Sequence, residues 1–138
     1  MKATIIYHSK TGTTAKYAEN IKLYLKDKGI EAEMSSIKYF DDKMLENTDY
    51  LFIGCWTSGL FFFMQHPEKE WVEFAKKINV NGKPKIALFT TYKILTGSMF
   101  SNMLKHLKFN FQTSPLKLKS KYGELSVSDK NDIDKFAD

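Results

Sequence analysis

Ile5-Ile6-Tyr7-His8-Ser9-Lys10-Thr11-Gly12-Thr13-Thr14 is an apolar extended run that breaks into a hydroxyl-rich turn. A helical period follows at once, with Ala18, Ile21 and Leu25 recurring on one face. Strand, tight turn and helix N-terminus in that order aim backbone N–H groups and the hydroxyls of Ser9, Thr11, Thr13 and Thr14 at one point. Unpaired N–H groups and the positive end of the helix dipole favour a dianion there. Gly12 permits the close approach and the positive φ that such a turn demands. The stretch reads as a phosphate-binding loop at the end of a first strand. An ordinary strand-to-helix turn with Thr13 as its N-cap is the alternative.

Working outward, residues 3–7 form the first strand and residues 14–28 the first helix, closed by Gly29 with Lys26 and Lys28 in its last turn. Residues 30–36 alternate like a strand with one wetter face. A short helical segment is expected near 41–46, and a fully apolar strand over 50–54. The latter runs into a loop, Cys55-Trp56-Thr57-Ser58-Gly59. Pro67, with Glu68 and Glu70, opens a helix whose buried stripe is Trp71, Phe74, Ala75 and Ile78. Strand 85–90 leads into a third loop, 91–97, and Ser98 is placed to cap the next helix. Leu116 and Leu118 mark the last strand, and Ser128, with Asp129 and Asp132, the start of a final helix.

Strand and helix alternate throughout, which implies an α/β domain with a parallel sheet covered on both faces. In such a sheet a ligand sits at the carboxyl ends of the strands, where the loops after the first, third and fourth strands converge. The 138 residues are enough for one domain, 1–138. The longest apolar run, Leu60-Phe61-Phe62-Phe63-Met64, is far too short to span a membrane, so a cytoplasmic protein without membrane insertion is expected. That run is expected to be core, with a lid or a docking surface as the other readings.

The single cysteine, Cys55, excludes an internal disulfide and reads as a buried thiol. His8, His66 and His106 have no metal-ligand spacing with one another or with acids, so no metal site and no catalytic residue is assigned. Every basic residue is Lys, which excludes guanidinium clamps. From Phe74 to Gly123 there is no Asp or Glu, while lysines recur throughout. No nucleic-acid motif accompanies them, so a surface that steers an acidic protein partner or an anionic substrate is the better reading.

Ser-x-Thr-Gly-x-Thr over 9–14 resembles the phosphate loop of the flavodoxin family; the triphosphate and dinucleotide loop patterns are both absent. Cys55-Trp56-Thr57-Ser58-Gly59 is similar to the family segment that packs an aromatic on the flavin ring. Thr90-Thr91-Tyr92 is similar to the one that offers a second aromatic, and the run 93–100, with Gly97, also resembles family members. The resemblance implies a three-layer sandwich with a five-stranded parallel sheet of order 2-1-3-4-5. It also implies FMN as cofactor, with Ser9, Lys10, Thr11, Gly12, Thr13 and Thr14 at the phosphate and Trp56 and Tyr92 flanking the ring. Thr57, Ser58 and Gly59 present backbone to the ring edge.

The best-known members carry acids around the flavin, whereas residues 55–67 and 91–98 here contain none, and Lys93 lies among them. A nearby cation favours the anionic, fully reduced flavin, so a less negative potential is expected. An electron carrier between redox partner proteins is the leading function. An FMN-dependent oxidoreductase acting on a quinone, tetrapyrrole or similar planar compound is the second, and a flavin-free interaction domain the third.

Overall fold

Alternate residues of the central strands serve opposite faces of one sheet. Ile5, Phe52 and Phe89 pack with Tyr17, Ile21 and Ile133, whereas Ile6, Leu51, Ile53 and Leu88 pack with Trp71, Met99 and Met103. Burial on both sides explains why these strands read as nearly unbroken apolar runs. The computed structural model describes residues 1–60, 63–111 and 113–138, and for Gly59, Leu60, Phe63 and Met64 the backbone alone. The run Leu60-Phe61-Phe62-Phe63-Met64 therefore lies outside the residues whose side chains are described.

In chain order the elements are β1 (Lys2–His8), α1 (Thr13–Asp27), β2 (Glu31–Ser36), a 3-10 turn (Asp42–Leu45), β3 (Tyr50–Trp56), β4 (Ser58–Leu60), β5 (Phe63–His66), α2 (Lys69–Lys77), β6 (Lys85–Thr91), α3 (Met99–His106), β7 (Leu116–Ser120) and α4 (Val127–Phe136). Strands pair in parallel as β2-β1-β3-β6-β7. Counting only the strands of this sheet, that is the expected order 2-1-3-4-5. Helices α1 and α4 cover one face, α2 and α3 the other. No described helix is long and apolar enough to cross a membrane.

Several boundaries differ from expectation, each for a local reason. Cys55, Trp56 and Thr91 are strand residues, not loop: Cys55 pairs with Thr90 and Trp56 with Thr91, so the ladder runs on past the apolar segment. The expected loop after β3 is instead an antiparallel hairpin, β4–β5. Helix α4 starts one residue after Ser126, not at Ser128: the Ser126 hydroxyl accepts from Asp129 N–H and Asp129 returns the bond to Ser126 N–H, a reciprocal capping box. Ser98 occupies the N-cap position of α3, but its hydroxyl donates to the Gln65 carbonyl at 3.2 Å rather than capping the helix. Helix α1 closes as expected, with Ile30 N–H bonded to Leu25 O and Gly29 N–H to Lys26 O.

Candidate functional site

The turn after β1 is held by Ser9, whose Oγ accepts from Gly12 N–H at 3.1 Å and from Ala15 N–H at 3.3 Å. Ser9 thus shapes the loop. Gly12, not Thr13, is the N-cap of α1, in the left-handed region at φ 95° with no side chain to cap the helix. A Cβ there would meet nothing within 4 Å, so the space in front of the helix N-terminus is open. Thr11 and Thr13 bring their hydroxyls to 3.4 Å of each other at the surface. Thr14 points inward and bonds Thr91 Oγ1 at 2.6 Å, joining the first loop to the end of β6.

Around this point lies a cleft of about 440 Å³, a size usual for small-molecule sites. Of the residues expected at the site, Lys10, Thr11, Thr13, Trp56, Thr57, Ser58, Thr91 and Tyr92 line it. Ser9, Gly12, Thr14, Cys55, Thr90 and Gly97 are not among its lining residues. Thr90 is fully buried and donates to Cys55 O at 2.6 Å, with Thr57 Oγ1 2.7 Å away. Cys55 faces the core, and burial pushes its thiol up to about 12, so it is an inert packing residue. Gly97, at φ 48°, lies against the Gln65 side chain. Gly59 belongs to β4, of which the backbone is described.

Gln65, Ile94, Leu95 and Lys121 also line the cleft, beside Lys93. The sequence places Ile94 and Leu95 in the converging third loop without assigning either a role at the site, and assigns none to Gln65 or Lys121. Gln65 lay in what read as a loop. Lys121 follows the last strand, and the rule that ligands gather at carboxyl strand ends was enough to flag it. The turn that carries Lys121 is fastened to the site: Tyr92 N–H donates to Ser120 O, and the Asn20 amide to Gly123 O. No Asp or Glu is among the described lining residues, which leaves Lys10, Lys93 and Lys121 to set its charge.

Behind the aromatic wall is a carboxylate. Trp56 Nε1–H donates to Glu68 Oε2 at 2.8 Å, and His8 Nε2 meets the same oxygen at 2.9 Å. Lys10 Nζ stands 4.8 Å from the centre of the indole. The His8 hydrogen bond holds the Glu68 carboxyl below its ordinary range, with the Trp56 N–H and Lys10 adding to it. Glu70 Oε2 is 3.9 Å from His8, so spatially His8 does join two acids, although they lie too far along the chain for spacing to show it. Hydrogen bonds among these groups already account for the arrangement.

This geometry has relatives. The family described as "Flavodoxin domain" matches residues 4–121. A flavodoxin of Clostridium saccharobutylicum is 30% identical over 110 residues, which is 78% of this chain and 68% of that protein. Among solved structures, the two-electron reduced flavodoxin of Megasphaera elsdenii superposes with a TM-score of 0.67 at 18% identity, covering 98% of this chain and 97% of that one. Oxidised flavodoxin 2 of Bacillus cereus does so at 0.63 and 21%, covering 99% and 95%. With the sheet order, the phosphate-type loop and these matches in agreement, the chain belongs to the flavodoxin family.

Proposed function

We propose that this chain is an electron carrier that holds FMN in the cleft and passes electrons between redox partner proteins. FMN is the cofactor of the family, and the residues present fit it. The carrying observation is that one cleft is lined both by the hydroxyl-bearing Thr11 and Thr13, at the N-terminus of α1, and by the aromatic side chains of Trp56 and Tyr92. A phosphate monoester suits the first, through Thr11, Thr13 and the N–H groups of the α1 first turn. A flat apolar ring suits the second. Thr57, Ser58 and Thr91 complete the polar part of the lining. When bound, the flavin supplies the redox chemistry; the protein orients it, shields its faces and sets the charge around it.

Among the described residues the lining has no carboxylate or imidazole to pair with Tyr92 or the lysines in acid–base chemistry on a substrate. That favours exchange with a partner over the alternative of an FMN-dependent oxidoreductase acting on a planar compound. The lysines at the cleft suit a partner with an acidic face. Residues 1–138 are read as one such domain, acting in the cytoplasm.

The test is reconstitution with FMN and, separately, with riboflavin. FMN binds with quenched flavin fluorescence. The Thr11→Ala/Thr13→Ala double variant loses about tenfold in FMN affinity while its riboflavin affinity stays the same, because only FMN has the phosphate. Failure of micromolar protein to take up FMN ends the reading. Turnover of a quinone without any partner protein moves it to the enzyme.

A further inference from the structure

Glu68 does not itself line the cleft, yet its carboxylate touches the indole that forms one wall. We propose that Glu68 is a positioning residue of the flavin site: it fixes the plane of Trp56 and places a negative charge behind it. This rests on the FMN reading above for its consequence, though not for its geometry.

An indole on a short strand-end side chain retains freedom to swing about its χ angles. Here packing against the core and Lys10 over the ring restrict it, and the bond at 2.8 Å from Nε1–H to Glu68 Oε2 sets the direction of the indole edge. The acceptor is itself held, since His8 Nε2 lies 2.9 Å from the same oxygen and Glu68 is the N-cap of α2, with its backbone fixed at the helix start. The groups facing Glu68 are His8 from β1, Lys10 from the first loop, Cys55 from β3 and Glu70 from α2. The hydrogen bond from the His8 ring and the charge of Lys10 stabilise the carboxylate in place.

Two effects follow, and they separate by chemistry. A carboxylate acceptor makes a stronger hydrogen bond than a neutral one and enriches the indole in electron density. An electron-rich wall and a nearby anion both favour the oxidised over the fully reduced flavin, so the Glu68 charge lowers the potential. Orientation needs only an acceptor, whereas tuning needs the charge. Gln at 68 keeps the first and loses the second; Ala loses both.

The experiment uses the full chain labelled with 15N, with Trp56→Phe assigning the two indole signals. Without flavin, the Trp56 indole N–H is shifted downfield and exchanges slowly in the wild type. Glu68→Gln retains a protected but less shifted signal. Glu68→Ala exchanges about tenfold faster. With flavin, Glu68→Ala binds FMN several-fold more weakly, Glu68→Gln binds within about twofold of wild type, and Glu68→Gln has a less negative potential. An unchanged indole signal in Glu68→Ala overturns the positioning role, and an unchanged or lower potential in Glu68→Gln overturns the tuning. If the wild type takes up no FMN, the functional reading and the tuning both fall, while the indole signal still decides the positioning.

Discussion

Gly54 leaves no room for a side chain in the core. It pairs with Phe89 across β3 and β6, and a Cβ at 54 would stand inside the Phe89 ring. Phe89 has no easy retreat, because Tyr17 packs edge-on against it with ring centres 5.9 Å apart. Gly54→Ala is expected to cost about 1–3 kcal/mol in urea unfolding through overpacking. The next residue, Cys55, makes a pH prediction. Its folded thiol is raised by burial to about 12, so its stabilisation is complete below the ordinary thiol value and disappears as pH rises through about 12. Between about pH 8.5 and that value the unfolded thiol ionises first, and unfolding free energy falls by up to about 1.4 kcal/mol per pH unit. Urea titrations near pH 8 and pH 10 are expected to show this decline in the wild type and its reduction in Cys55→Ala.

At the level of elements, the buried Thr14–Thr91 bond welds the start of α1 to the end of β6. Thr14→Val leaves Thr91 without its partner and is expected to cost about 1–3 kcal/mol, while Thr14→Val/Thr91→Val together cost less than the sum of the two single variants. A double-mutant cycle in urea reads the difference. The same bond shows where sequence reading stops. Apolar runs, Gly29 and the acids ahead of α2 mark elements by local patterns, so the sheet and its helices were legible. The phosphate-type loop was legible for the same reason, being contiguous. The turn from β3 into β4–β5 was not, since its strands are held by pairing with Thr90, Thr91 and each other, and no residue in 55–66 signals that from within. The Glu68–Trp56–His8 contact joins residues 12 and 60 apart and leaves no local trace.

For the whole molecule, charge is positive: a net +5, with Lys10, Lys93 and Lys121 at the cleft. Two outcomes are expected. The reconstituted protein has a less negative potential for full reduction than acidic flavodoxins, read by potentiometric titration. Electron transfer to an acidic acceptor slows as ionic strength rises, read by stopped flow across a salt series, because screening removes the attraction that brings the two together. The Gln65 carbonyl takes hydrogen bonds from both Ser98 and Asn102, so the base of the β4–β5 hairpin is gripped by the first turn of α3. These two parts, far apart in sequence, are moored at one backbone oxygen, and loss of the Asn102 amide would slacken the hold on both.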